Sequence, residues 1–311
     1  MTNDDINSLP QIRPGPISWL NEPIRTSIAE TVRKYLNRKW TVLDEKDLSE
    51  FACHRVAILS DGEFGVFFKY AEEPDGNRQF EAELGDLQKL SELTGVLIPR
   101  PIGIIEVESC WLFLMEAVEP VERKEQQWRE IGWTLARIHQ VSGNCFGFDR
   151  NKYWGSLYQD NTQTEDWAEF FRERRLMPLL KIAVKSGNLP SPVRSDVELL
   201  AERLPGLCGS EVTPALLHGD AQANNFISSA AGAYVIDPAV FYGHPEWDLA
   251  IMSAWQDVPN DVFIGYREIL PIDQGFKERC YLWRIPLYLA AVALEGQMHL
   301  NRLTGALRRY L

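Results

Sequence analysis

The sequence predicts an α+β protein in which a small β-rich N-terminal part precedes a larger, mainly helical C-terminal part. Three observations point to this order. Residues 56–70 and 102–115 carry the short apolar runs and turn residues of strands. Most of the chain beyond residue 117 repeats its apolar residues at helical spacing. That helical stretch is broken between 215 and 237 by two short apolar runs flanking a polar loop.

Taken in order, residues 1–16 are polar and rich in Pro, and read as a flexible leader. Ile17 to Leu36 mixes apolar and charged residues at roughly helical spacing, which predicts a helix ahead of the first sheet. Val56-Ala57-Ile58-Leu59, a turn at Ser60-Asp61-Gly62 and the run from Gly65 to Tyr70 predict a pair of strands. In Gln79 to Leu93, residues Phe80, Leu84, Leu87 and Leu90 form one buried helical stripe. At about 100° per residue, Glu83 falls between Leu87 and Leu90 on that stripe, whereas Glu81 points away. A carboxylate on an apolar face needs a partner.

Ile102 to Val107 and Cys110 to Met115 predict two strands joined by a turn at Glu108-Ser109, and Pro120 ends the crossing that follows. Trp128, Ile131, Leu135 and Ile138 mark a helix. Trp167 to Pro178 reads as an amphipathic helix whose Arg172, Arg174 and Arg175 are expected as surface charges or salt-bridge partners. Ser195 to Leu204 predicts a further helix, with Ser195 and Glu198 spaced as a capping box. The chain closes on helices at Trp247 to Trp255, Pro259 to Leu270 and from Phe276 onward, the last interrupted by Pro286.

Length and composition narrow the function classes. With 311 residues, 45% of them hydrophobic, the chain can bury a substantial core. A net charge of −12, with no basic tail or stripe, argues against a nucleic-acid or membrane-surface binder. The five cysteines are scattered and never at CxxC spacing, so neither a zinc site nor a disulfide framework is expected, and a cytoplasmic location fits. No run approaches the roughly 18 apolar residues of a membrane span.

The chemistry concentrates in Ala215 to Asp237. His218-Gly219-Asp220 follows one apolar run, Asn225 comes five positions after Asp220, and Asp237 closes a second run from Ala233 to Ile236. A turn between two short strands would bring Asp220, Asn225 and Asp237 to one mouth. There one carboxylate could accept a hydroxyl proton, while a carboxamide oxygen and a second carboxylate offer the hard oxygen ligands Mg²⁺ prefers.

The HGDxxxxN pattern followed by a strand ending in Asp resembles the small-molecule branch of the protein-kinase-like fold, the aminoglycoside phosphotransferase and choline kinase relatives. The stretch from Ile236 to Ala250, together with Phe146-Gly147-Phe148, Asn151 to Gly155 and Trp167 to Pro178, resembles one family more narrowly, the fructosamine (ketosamine) kinases. The resemblance implies a two-lobe fold, with an N-lobe over 17–116 that binds nucleotide and a C-lobe over 117–311 that holds the catalytic loop, metal and acceptor. It implies ATP and Mg²⁺ as cofactors, with Asp220 catalytic and Asn225 and Asp237 holding the metal. Lys69 would bind the ATP phosphates and pair with Glu83, and the hinge Met115-Glu116-Ala117-Val118 would meet adenine through its backbone. His218 and His139 are expected to brace rather than to move protons, and Asp248 to prop the catalytic loop. The acceptor implied is a ketosamine, free or attached to a protein.

Two departures accompany this resemblance. The loop expected to close over phosphate, Ser49 to His54, has no glycine, and it contains Cys53, which reads as a buried, inert thiol, with an oxidation that alters activity as the alternative. The catalytic loop carries Ala221 and Asn224, where relatives commonly have a larger apolar residue and Gly. An aminoglycoside or another hydroxylated metabolite stands as an alternative acceptor, and a nucleotide-binding pseudokinase as an alternative class.

Overall fold

Asn21 opens the first helix, α1 (Glu22–Leu36): its side chain accepts the Ile24 N–H at 3.0 Å, Pro23 sits in the first turn, and Asn37 ends the helix in the left-handed conformation. This cap places the start at Glu22 rather than Ile17. The computed structural model describes residues 17–51, 54–72, 75–155, 157–209 and 211–311. The leader, with Ala52 and Cys53 of the expected phosphate loop, lies outside them.

Five antiparallel strands form the N-terminal sheet: β1 (Asp44–Asp47), β2 (Arg55–Ser60), β3 (Gly65–Ala71), β4 (Pro101–Val107) and β5 (Cys110–Glu116), in the order β1-β2-β3-β5-β4. Glu108 and Ser109 turn the last hairpin with φ of 50° and 70°, the left-handed pair whose twist suits a two-residue connection. Side chains alternate across β3. Val66, Phe68 and Tyr70 pack with Ile24, Ile28 and Val32 of α1, while Phe67 and Ala71 face the helix α2 (Gly76–Thr94) and its Phe80 and Leu87. By the same alternation Lys69 projects toward α2.

The rest of the chain is mainly helical. After α3 (Glu125–His139) comes a small hairpin of β6 (Lys152–Trp154) and β7 (Leu157–Gln159). The amphipathic helix predicted from Trp167 is present as α4 (Trp167–Phe170), a π-helical turn at Phe171–Leu176, and α5 (Met177–Lys185). Its three arginines part company. Arg172 and Arg174 make surface salt bridges to Glu173 and Asp160. Arg175 is 1% exposed and stacks over Phe170 and Phe241, its guanidinium pushed down to about 9 by burial.

Helix α6 (Ser191–Leu207) begins four residues before the predicted capping box, so Ser195 lies inside it and Glu198 accepts from Arg194 at 2.9 Å instead. Pro192 in the first turn explains the earlier start. Two ribbons follow: β8 (Ala215–Leu217) with β11 (Phe241–Gly243), and β9 (Phe226–Ser229) with β10 (Gly232–Val235). The chain closes on α7 (Glu246–Met252), α8 (Asp261–Arg267), α9 (Phe276–Glu295) and α10 (Leu300–Leu307). Pro286 does not interrupt α9. Every residue from Leu282 to Val292 is buried, and that packing holds the helix through the proline.

Most of the C-terminal apolar residues join one core around α3, where Ile131, Leu135 and Ile138 are fully buried. Helix α8 crosses α3 closely enough that a Cβ on Gly132 would lie 2.0 Å from the Val262 carbonyl oxygen.

Candidate active site

Two ribbons, not one hairpin, assemble the predicted carboxylates. The run ending at Leu217 pairs with Phe241–Gly243, whereas the run ending at Val235 pairs with Phe226–Ser229. In the second ribbon Val235 lies opposite Phe226, so the residues just beyond, Ile236 and Asn225, are neighbours and the Ile236 N–H donates to the Asn225 carbonyl at 3.0 Å. Asp237 follows at once. The first ribbon brings up Asp220, because the Ala239 N–H donates to the His218 carbonyl at 2.8 Å. Gly219 makes the bend possible: its φ is +84°, and a Cβ there would meet the Ala239 oxygen at 1.9 Å.

The Asp220 carboxylate accepts from Gln222 Nε2 at 2.8 Å and from Asn225 Nδ2 at 3.1 Å, and Asn225 Nδ2 also donates to the Asp220 carbonyl at 2.8 Å. With its NH₂ so engaged, Asn225 has its amide oxygen available as a ligand. Burial pushes the Asp220 carboxyl up to about 6, opposed by Gln222, the Trp154 side chain and Asn225 and reinforced by the charge of Asp237. His218 is neutral and bridging: its Nε2–H donates to the Ile236 carbonyl at 3.0 Å, and its Nδ1 accepts the Asp220 N–H at 3.2 Å. Burial pushes its pKa down, so it braces the loop.

Across the mouth, the Lys69 ammonium donates to both Glu83 oxygens, at 2.7 and 2.8 Å, and also to Asp237. The expected pair is therefore present, and helical geometry selected Glu83 over Glu81 correctly. Burial disfavours the Lys69 cation, but the two carboxylates outweigh it and hold its pKa above the ordinary lysine value. Glu83 is raised, by burial first and by the nearby Asp237 charge, because two carboxylates share one cation. Asp237 has φ of +53°, an uncommon left-handed conformation for a residue other than glycine.

Among the described residues no group of three or more His, Cys, Asp or Glu side chains could hold a metal ion. Asn225 and Asp237 instead supply one carboxamide and one carboxylate oxygen. That set fits Mg²⁺, which is commonly held by one or two protein oxygens with phosphates and water completing the shell.

The crossing from β5 is partly committed within the protein. Met115 is buried in the sheet, the Glu116 N–H donates to the Arg100 carbonyl at 2.8 Å, and the Ala117 N–H donates to the Gly65 carbonyl at 2.9 Å. Val118 follows, half-buried.

Asp248 on α7 accepts the His218 N–H at 2.7 Å, the Gly219 N–H at 3.0 Å and the His139 Nε2–H at 3.1 Å. His139 in turn accepts from the Tyr266 hydroxyl at 2.9 Å. Both residues are buried supports, as their sequence context suggests. Gln222 and Trp154 at Asp220 were not singled out by the sequence. Gln222 lies inside the HGDxxxxN loop, and that position was its only signal; Trp154 arrives from a distant hairpin.

The fold is that of the protein-kinase-like phosphotransferases. A Thermobifida fusca protein provisionally named a fructosamine-3-kinase superposes with a TM-score of 0.80 at 27% identity, over 91% of this chain and 98% of its own. A choline kinase from Streptococcus pneumoniae shares the fold at a TM-score of 0.56 and 17% identity, over 92% of this chain and 98% of its own. In sequence, the mouse ketosamine-3-kinase is 27% identical over 254 residues, 72% of this chain and 81% of its own. A Synechocystis protein named as a probable ketoamine kinase is 29% identical over 265 residues, 83% and 87% of the two chains. The fructosamine kinase family model matches residues 24–311, and the chain belongs to that family. It is a phosphotransferase whose acceptor is a hydroxyl group.

Proposed function

We propose that the protein is an ATP-dependent kinase that transfers the γ-phosphate to a sugar hydroxyl of a ketosamine, free or protein-bound. Residues 17–116 form its nucleotide lobe and 117–311 its acceptor lobe. The observation that carries this reading is the convergence upon one mouth of Lys69 from β3, Glu83 from α2, Asp220 and Asn225 from one loop, and Asp237 from the end of the following ribbon. Phosphoryl transfer asks a protein mainly for positioning and charge stabilisation, and this set supplies both.

Lys69, fixed by Glu83, holds the phosphates. Asp220 orients the acceptor hydroxyl and takes its proton as the oxygen attacks, and Gln222 and Asn225 keep its carboxylate aimed. Mg²⁺ would be held by Asn225 and Asp237 and would neutralise phosphate charge. Because Glu116 and Ala117 spend their amides within the protein, the Val118 backbone is the hinge group that meets adenine. Local cations have to overcome a net charge of −12, which repels ATP at long range. The described cysteines are free thiols, which supports a cytoplasmic setting.

The test is ADP release by purified protein with ATP and Mg²⁺, with and without fructosyl-lysine, against Asp220→Asn as blank. Acceptor-dependent release absent from the variant, with ATP affinity nearly unchanged, is the expected result. Equal turnover by the variant refutes the role of Asp220, and ATP binding without turnover on any sugar amine or aminoglycoside refutes the kinase reading in favour of a nucleotide-binding module.

A further inference from the structure

A cluster of buried charged groups around Asp86 lies outside the machinery described above. Asp86 sits one turn beyond Glu83 on α2, and Lys152 begins β6; each is 2% exposed. The Lys152 ammonium donates to Asp86 Oδ1, and the Arg150 guanidinium reaches the same oxygen at 3.3 Å. The other oxygen, Oδ2, accepts the backbone N–H of Val240 at 3.2 Å. One carboxylate thus ties together three segments: the helix that carries Glu83, the hairpin that carries Trp154 toward Asp220, and the chain three residues past Asp237.

Packing alone does not call for this arrangement. A buried ion pair loses hydration that apolar side chains of the same volume would not lose, so its distinctive contribution is directional. A cation in this place accepts only an α2 position that puts Asp86 on it. The Lys152 ammonium is further seated over the Phe148 ring, 3.8 Å from its centroid.

We propose that Asp86 and Lys152 are positioning residues for phosphoryl transfer: their ion pair clamps α2 to the β6–β7 hairpin and to the segment after Asp237. The clamp sets where Lys69 and Glu83 stand relative to Asp220. The inference rests on the kinase reading for its catalytic meaning, but the clamp itself is a property of the fold.

The pair is also sensitive to pH. Burial pushes the Lys152 ammonium down to about 8, against the pull of Asp86. Arg150 beside it lowers the value and Asp149 raises it. From α2, Lys89 stands over the same Phe148 ring at 4.5 Å and reaches Asp149 at 3.4 Å, while Asp86 itself is raised by burial. Lys152 is therefore charged at neutral pH and loses its proton, and the clamp with it, as the pH rises past about 8.

The experiment compares the full-length protein with Lys152→Met, Lys152→Arg and Asp86→Asn between pH 7 and pH 9. It reads kcat and KM with fructosyl-lysine, and amide-exchange protection, corrected for intrinsic rates, in α2 and at Val240. The wild type is expected to lose kcat and α2 protection together above pH 8. Lys152→Met should show a kcat roughly tenfold lower at pH 7, no alkaline limb, and weakened protection from the start. Lys152→Arg stays charged and should restore the neutral-pH kcat while removing the limb up to pH 9. Asp86→Asn, nearly isosteric, should move the limb to lower pH and serves if Lys152→Met does not fold. A Lys152→Met protein that keeps both the alkaline limb and full protection overturns the proposal. If the wild type phosphorylates no acceptor, the kinase reading fails separately, and the protection pattern still decides the clamp: pH-dependent in the wild type supports it, and unchanged in the variants refutes it.

Discussion

Asp248 receives the backbone N–H groups of both His218 and Gly219, at 2.7 and 3.0 Å, so the loop carrying Asp220 hangs from a carboxylate on the following helix. Replacing it with Asn puts an NH₂ where one oxygen is needed and leaves a buried donor without an acceptor. Asp248→Asn is expected to lower stability by about 2–4 kcal/mol and to reduce kcat more than it raises KM. Urea unfolding and steady-state kinetics measure both, and a variant of wild-type stability would show that the loop holds itself.

Gly219→Ala tests the bend in the same loop. The added methyl would meet the Ala239 oxygen at 1.9 Å, at a φ of +84° that L side chains rarely adopt. A loss of stability on the order of 3 kcal/mol is expected, with most of the turnover. Full activity would mean that the two ribbons can separate at little cost.

His244 predicts how the fold responds to acid. Burial pushes its pKa down to about 4, against the attraction of Glu246. The unfolded chain binds a proton below about 6.5 and the folded one does not, so stability is complete above that value and falls as pH drops toward 4. The loss is on the order of 3 kcal/mol at most. His244→Phe keeps an aromatic ring against Trp167 and Trp283 and should flatten this slope. Denaturant midpoints at pH 7 and pH 4.5 give the comparison.

Chelation separates catalysis from folding. The described residues offer no cluster suited to a structural metal, so EDTA should stop turnover without moving Tm. A drop of several degrees would place a metal in the fold itself.

What could be read from the chain is what is local in it. Asp220, Asn225 and Asp237 were identifiable because a five-residue loop spacing and a strand ending in Asp bring particular residue types together over 18 positions. Helical angle put Glu83 on the apolar face of its helix, and the kinase resemblance supplied Lys69 as its partner. Asp86 had a weaker signal of the same kind, since it lies about 40° beyond Leu90 at the edge of the stripe, but its partner could not be named: Lys152 is 66 residues away, in a hairpin too short to announce itself.

The chain by itself determined the α+β order and the acid–amide–acid set of the mouth, because helical period, strand runs and loop spacing are properties of consecutive residues. Only the tertiary structure decided that Ala215–Leu217 pairs with Phe241–Gly243 and not with the run ending at Val235, that α9 continues through Pro286, that Arg175 is buried under two rings, and that Asp86 finds Lys152. Each of these depends on which distant surfaces meet in the core, where burial of apolar area and satisfaction of polar groups outweigh the local preference of any one segment.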